Sequence, residues 1–410
     1  MRKSNSSFQQ TGDCRATAQA VGLACSHLGK NSNRLTQVAF LLRQLFNSDW
    51  IKNTRLLVGE GTAIAPWATR AAELWQIPIE IICVMAQPGL SHASRHVDKP
   101  PTPTSKSQWV HRTWVTLPND TNIDQFVIHR VPRLFIPYVR RNGRIEAIAA
   151  NRLTSDSTFA VHVAPSRSAK HLISKGGIPW SANILGDSAA ANVKIPSKTA
   201  STKGKQRNRF NWSVPKGLLN RQWLIHCTRG NQGSWPEESE EHYYESILKD
   251  PPSACCREAI DALHRIVTQK RIIAQASTSR HAYPVVCFSE EKLDQLLARR
   301  CYRSHLHRWD YEPYGIAITR SAAEKFGIRP VIYCPQKRRR EYAEQDQYRI
   351  HPIGKTYNWR EEKEWRSPDS VPLEKLSIDE VCIFAEDSVA SRSRLAGCGF
   401  VVHFLKRSVN

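Results

Sequence analysis

The stretch Trp359-Arg-Glu-Glu-Lys-Glu-Trp-Arg366 sets Glu362 and Glu364 two residues apart, framed by two tryptophans and two arginines. On a strand, side chains at that spacing project to the same face. Two carboxylates held together beside fixed cations can have their pKa values driven apart and divide acid and base roles. Glu362 and Glu364 are therefore the leading catalytic candidates. The competing reading is an edge strand whose acids form cross-strand ion pairs.

Three other places could supply partners. His226-Cys-Thr228 closes an apolar strand and runs directly into Arg229 and Gly230, an unusually polar exit. A lone histidine there is otherwise a core or edge residue. Val286-Cys-Phe-Ser-Glu290 repeats the arrangement. Ser289 reads as a helix N-cap, with Glu290 and Glu291 favouring the helix dipole. Gly59-Glu-Gly-Thr62 follows the apolar run Leu56–Val58 and precedes a helical stretch. Gly59, Gly61 and Thr62 could offer backbone N–H groups to a phosphate. A full dinucleotide fingerprint needs a third small residue where Ile64 stands, so a simple flexible turn is the alternative. Cys301, His305 and His307 have ligand-like spacing, but Arg300, Arg303 and Arg308 crowd them with positive charge. No metal is expected there, and a phosphate contact by the arginines fits better.

The elements that must position these residues divide the 410-residue chain into four stretches. Residues 1–32 are polar and turn-rich, a poorly ordered lead-in with no apolar h-region for a secretory signal. Residues 33–164 carry a strand–turn–helix–strand pattern: Leu56–Val58, a helix over 63–75, then Ile79–Val84. Such a βαβ unit implies an α/β, Rossmann-like domain with a parallel sheet, ending in a strand at Phe159–Val163. Asn142-Gly143 either closes a hairpin or ends a strand before a helix from Ile145, and the alanines favour the helix. Residues 165–208 are rich in Ser, Lys and Gly, a basic interdomain linker. Residues 209–410 alternate short strands and helices, an α+β domain.

A formal net charge of +22 points to a polyanionic partner, reached through the basic linker, or merely to a basic composition. No apolar run is long enough for a membrane helix. Eleven cysteines without a C-x-x-C pair read as reduced thiols in a cytoplasmic protein.

Resemblances sharpen these expectations. Val58 to Pro78, with Arg133-Leu-Phe-Ile-Pro-Tyr-Val-Arg-Arg-Asn-Gly143, resembles the SLOG superfamily of Rossmann-like domains, which implies binding of a nucleotide or nucleotide derivative. The later order, a His-x-Thr strand, a Phe-Ser-Glu strand and a Glu-x-Glu, resembles the ADP-ribosyltransferase superfamily. That resemblance implies NAD as a substrate whose glycosidic bond is cleaved. His226 and Thr228 would then contact the adenosine ribose or nicotinamide, with Arg229 and Ser289 beside them. Glu364 would bind the nicotinamide ribose and offset an oxocarbenium-like charge. Glu362 would activate the acceptor, and Tyr314 is the candidate middle aromatic. The Ser-Thr-Ser of the arginine-specific enzymes is absent. Trp309 to Ile318, Arg329-Pro-Val-Ile-Tyr333 and Trp359 to Arg366 are also similar to uncharacterised bacterial families, some carrying an abortive-phage-resistance label. Together these imply a ligand-controlled effector in defence or stress. A non-enzymatic nucleotide- or nucleic-acid-binding regulator is the alternative.

Overall fold

The apolar run Ala20–Leu23 sits in the middle of a parallel sheet. Val21 and Leu23 feed one apolar layer while Ala24 feeds the other, as a strand buried on both faces requires. The structure is a computed structural model. It describes residues 20–29, 31–85, 107–118, 121–180, 210–219, 222–231, 233–255, 257–276, 283–303, 308–353 and 359–409. Within it the chain forms two compact units: Met1–Pro196 with Ser239–Cys255, and Ser197–Glu238 with Cys256–Asn410.

In the first unit the order is β1 (Ala20–Leu23), α1 (Ser32–Asn47), β2 (Arg55–Gly59), α2 (Ala65–Trp75), β3 (Ile79–Val84) and β4 (Val110–Val115). There follow α3 (Ile123–Arg130), β5 (Arg133–Ile136), α4 (Arg144–Ser155), β6 (Ala160–Val163), α5 (Lys170–Ser174) and β7 (Ile178–Pro179). The seven strands pair in parallel in the order β4-β3-β2-β1-β5-β6-β7. This is a doubly wound, Rossmann-like α/β sheet. Its order reverses between β1 and β5, and ligands of such sheets bind at that reversal, outside the strand C-termini. Alternation along the strands explains the two layers. Leu56 and Val58 pack with α1 and α2, whereas Leu57, Leu134 and Ile136 pack with α3 and α4.

Three boundaries differ from the sequence expectation. The lead-in expected over 1–32 contains β1 and its partner loop. The linker expected from 165 begins with α5 and β7, which add a seventh strand. The rest of that linker, its basic part Lys194 to Arg207 included, lies outside the described residues. Finally, α6 (Lys216–Leu219) and β9 (Trp223–Cys227) are followed by an excursion, α7 (Glu240–Lys249) and α8 (Pro251–Cys255), that belongs to the first unit. Tyr243, Ile247, Leu248 and Cys255 join the core that α1 and α2 line. Trp67 meets Tyr244 edge-on at 5.0 Å, and Arg70 pairs with Glu245. The Asn142-Gly143 alternative resolves to the helix: Asn142 takes φ 54° and Gly143 caps α4.

The second unit starts with β8 (Phe210–Ser213), α6 and β9. It continues through α9 (Ala259–Gln269), β10 (Arg271–Ile272), β11 (Val286–Ser289), α10 (Leu293–Ala298), β12 (Cys301–Arg303), β13 (Arg308–Asp310), β14 (Tyr314–Thr319) and α11 (Arg320–Lys325). It ends with β15 (Arg329–Pro330), β16 (Ile332–Cys334), β17 (Ile350–Pro352), β18 (Glu364–Ser367), β19 (Val371–Pro372), β20 (Val381–Glu386), α12 (Val389–Leu395) and β21 (Val401–Val409). Eight strands form one mixed sheet in the order β15-β18-β11-β9-β14-β20-β21-β8, an α+β arrangement. One face carries Leu224, Ile316, Phe288 and Trp365 against α9 and α12. The other carries Ile225, Ala317 and Phe384 against α6 and α10. Helix α11 is capped by Thr319, whose Oγ1 accepts from Ala322 N.

Among the described residues, no helix is long and apolar enough to cross a membrane.

Candidate functional site

Strand register decides which candidates share a face. Ser289 pairs directly with Glu364 on β18 and with Ile225 on β9, both antiparallel. Direct partners point to the same side of a sheet, and neighbours along a strand alternate. Glu364, Ser289, Ile225, Cys227, Cys287 and Arg366 therefore lie on the α10 side. His226, one residue from Ile225, lies on the α9 side with Phe288, 5.6 Å away between ring centroids. The expected constellation of His226 with Glu364 is thus split across the sheet. His226 Nδ1 sits 2.8 Å from the Cys287 carbonyl oxygen, and burial pushes its imidazole down to about 4. The imidazole is thus held neutral and tied to backbone, away from Glu364.

Thr228 and Tyr314 are drawn to the same α9 side. Thr228 is 2% exposed; its N–H donates to the Tyr314 carbonyl and its hydroxyl to that of Ala259 at 2.9 Å. Tyr314 donates to Glu386 Oε2 at 3.1 Å. Both polar groups are already satisfied within the protein.

The α10 side holds the paired carboxylates. The chain enters it by a route that a simple strand reading does not foresee. Residues Trp359–Glu362 form a 3₁₀ turn, Lys363 adopts φ 43°, and only then does β18 begin. Glu362 therefore reaches Glu364 through a left-handed turn and not through strand alternation. Ser289 fixes that turn: its hydroxyl donates to the Glu362 carbonyl at 2.5 Å and accepts from Glu291 N at 3.1 Å. It is not the cap of α10, whose N-cap is Lys292.

The two carboxylates have different surroundings. Glu364 is gripped by Arg366, Nε to Oε1 at 2.9 Å and Nη2 to Oε2 at 3.2 Å. Arg366 is 4% exposed and also donates to the Tyr348 and Ile350 carbonyls. This bidentate, buried pair fixes Glu364 in place. Glu362 has no such partner. Burial raises its pKa above the usual carboxylate range, opposed by a hydrogen bond from Tyr311 and reinforced by the charge of Glu364. Tyr311 itself takes φ 56°. Left-handed backbone at two bulky residues beside one carboxylate is the kind of strain that gathers at functional sites.

Arg229 completes the group. Its charge reaches Glu362, His226 and Cys227, yet among the described residues its guanidinium makes no hydrogen bond or ion pair, and its buried Nε finds no partner there. Buried donors are nearly always satisfied, so such a cation stands out. Two open depressions in this unit lie elsewhere. One is lined by Pro236, Ile273, Gln275, Pro284 and Ser370, the other by Gln222, Thr319, Arg320 and Glu324.

In the first unit, Gly59, Gly61 and Thr62 form the turn after β2, beside the strand-order reversal. Gly61 takes φ 70°, and a Cβ on Gly59 would stand 2.8 Å from Ile123. Thr62 Oγ1 donates to the Gly59 carbonyl at 2.7 Å. Packing against α3 thus accounts for Gly59, and Glu60 at the tip, 3.7 Å from Arg112, brings negative charge. At the reversal itself the polar groups are ones the sequence reading missed. Ser26 Oγ accepts from Arg140 N at 3.0 Å, and Arg144 pairs with Asp124 at 3.1 Å. The apolar run Ala20-Val-Gly-Leu-Ala-Cys25 was the signal that would have exposed them. Cys301 lies in β12, while His305 and His307 lie outside the described residues; no group of three metal-ligating side chains occurs among those described.

No protein-family model and no curated protein matches the chain. Among solved structures, a molybdenum cofactor carrier protein from Chlamydomonas reinhardtii is similar at 15% identity, over 39% of this chain and 98% of that one, with a TM-score of 0.24.

Proposed function

We propose that the parallel-sheet unit binds a nucleotide or nucleotide derivative and that the second unit cleaves the N-glycosidic bond of an NAD-type dinucleotide. Water or an acceptor would take the ADP-ribosyl group. The observation that supports this reading is Arg229, a guanidinium without a partner among the described residues, set beside a carboxylate whose pKa burial has raised. An unpaired arginine suits a pyrophosphate, which it can grip with two parallel hydrogen bonds. As the C1′–N bond opens, positive charge grows on the ribose, and a fixed carboxylate offsets it. Glu364, immobilised by Arg366, suits that part. Glu362, with its raised pKa, suits the base that takes a proton from the attacking hydroxyl. His226, on the opposite face, has no part in this scheme.

The test is release of nicotinamide from NAD labelled in that ring, followed by chromatography. Wild-type protein should release label, and Glu362→Gln should lower kcat by about 10²–10⁴-fold. Arg229→Gln should chiefly raise KM, by about 10–100-fold for the loss of a charge-assisted contact. No release by the wild type, or an undiminished rate in Glu362→Gln, would defeat the proposal.

A further inference from the structure

We propose that the Tyr333 hydroxyl is the specificity-determining donor of the carboxylate site, giving a hydrogen bond to a sugar hydroxyl of the ligand. Resting on the reaction proposed above, this assignment takes the ligand to bring a ribose to Glu362 and Glu364. Tyr333 closes the stretch Arg329-Pro-Val-Ile-Tyr333, which hooks around Glu364. Val331 N donates to the Glu364 carbonyl at 2.8 Å, and Glu364 N donates to the Tyr333 hydroxyl at 3.3 Å. The chain from β15 into β16 thus grips Glu364 on both sides of its Cα, directly after the left-handed turn at Lys363. Strand β16 pairs in parallel with β17, where His351 stands opposite Tyr333 with ring centroids 5.9 Å apart. Packing and one hydrogen bond hold the phenol, so little rotamer freedom is left to lose on binding.

A tyrosine hydroxyl has one hydrogen to give and lone pairs to receive with. Here Glu364 N engages a lone pair, whereas among the described residues no acceptor takes the hydrogen. Burial, with the charges of Glu364 and Glu362 adding to it, pushes the phenol up to about 12. Tyr333 therefore remains a donor wherever the carboxylates are ionised.

The other groups at the site cannot take this part. Ionised carboxylates only accept, and the Arg229 guanidinium suits the geometry of a phosphate. A sugar hydroxyl both donates and accepts. One that gives its hydrogen to a glutamate needs a donor for its own oxygen, and an ionised acid pair offers none. Tyr333 supplies it. Its neutrality also spares the site a further cation, which would oppose the positive charge growing on the ribose. A ligand without that hydroxyl leaves the donor unmatched, and the unmatched donor is the source of discrimination.

The experiment titrates the full chain by calorimetry with ADP-ribose, with ADP, and with ADP-ribose lacking either hydroxyl of its terminal ribose in turn. Wild type should bind ADP-ribose about 10-fold more tightly than one of the two deoxy forms. Tyr333→Phe should lose about 10-fold toward ADP-ribose, cease to distinguish that deoxy form, and keep its affinity for ADP. Equal losses toward ADP-ribose and ADP would show that Tyr333 only supports Glu364, and would overturn the assignment. So would an absence of ADP-ribose binding. Wild type that binds both deoxy forms as tightly as ADP-ribose would do the same, even where the variant does not fold. Nicotinamide release keeps the two readings apart. Wild type that shows the expected pattern yet releases no nicotinamide from NAD loses the cleavage reading and keeps the donor. Release accompanied by binding indifferent to Tyr333 has the opposite meaning.

Discussion

Ile247→Ala tests whether the α7–α8 excursion is structurally part of the first unit. Ile247 is fully buried, and its neighbours in the core include residues of α1 and α2. Truncation removes three carbon groups, worth about 2.4 kcal/mol at ~0.8 kcal/mol per buried methylene. The unfilled space adds to that, bringing the loss to about 3 kcal/mol. At about 1.4 kcal/mol per factor of ten, amides whose exchange requires opening of the first unit should exchange on the order of 10²-fold faster. Hydrogen exchange read by mass spectrometry localises the effect. Peptides from α1, α2 and β2 should accelerate, whereas peptides from β14 and β20 should keep their wild-type rates. A sequence-contiguous second domain over 209–410 predicts the reverse. Acceleration in β14 and β20 with α1 and α2 unchanged would refute the reasoning.

Other outcomes follow from the α10-side site. Glu364→Ala leaves the buried Arg366 without its carboxylate, and breaking such a pair costs about 3–5 kcal/mol; thermal melting should show the drop, and adding Arg366→Met should restore part of it. An unchanged Tm in the single variant would mean the pair is not buried as described. Glu362 has a folded-state pKa above the ordinary value. Its contribution to stability is therefore full below the unfolded value and is lost as pH rises through the folded one. Glu362→Gln carries no such loss, so its Tm should exceed wild type at about pH 8 and converge with it at about pH 4, and a gap that widens on acidification would contradict this. Lys363 at φ 43° bears the side-chain clash of left-handed backbone. Lys363→Gly should relieve about 1 kcal/mol of it, less the contribution of the long Lys363–Glu291 contact at 3.5 Å. A fall in Tm would show that the side chain matters more than the backbone.

The sequence made some elements plain and hid others for identifiable reasons. The β2–α2–β3 unit was legible because its strands are apolar on both faces and Gly59–Thr62 and Pro78 punctuate it. Strand β1 was not, since so short an apolar run carries little periodicity, and its partners Arg55–Val58 and Arg133–Phe135 lie far along the chain. Helix α7 shows an apolar stripe that demands a partner, but amphipathicity does not say which surface supplies it. Glu362 and Glu364 stand out as candidates through the Trp and Arg that frame them. Their separate environments do not, because they depend on one backbone torsion at Lys363. The separation of His226 from Glu364 turns on parity of register between β9, β11 and β18, which composition cannot encode.

The excursion also bears on how the chain is made. Proteins emerge from the ribosome N-terminus first at about 5–20 residues per second, and domains usually fold as they appear. Here the first unit stays incomplete after Pro196 has been synthesised, because Tyr243, Ile247 and Leu248 supply part of its core. For about 3–12 seconds at that pace, the apolar surfaces of α1 and α2 await helices not yet translated. By then β8 and β9 have also emerged, with their own sheet unfinished. A nascent chain with two half-built cores at once is a natural client for a holding chaperone, and ribosome pausing between residues 196 and 255 would lengthen that dependence.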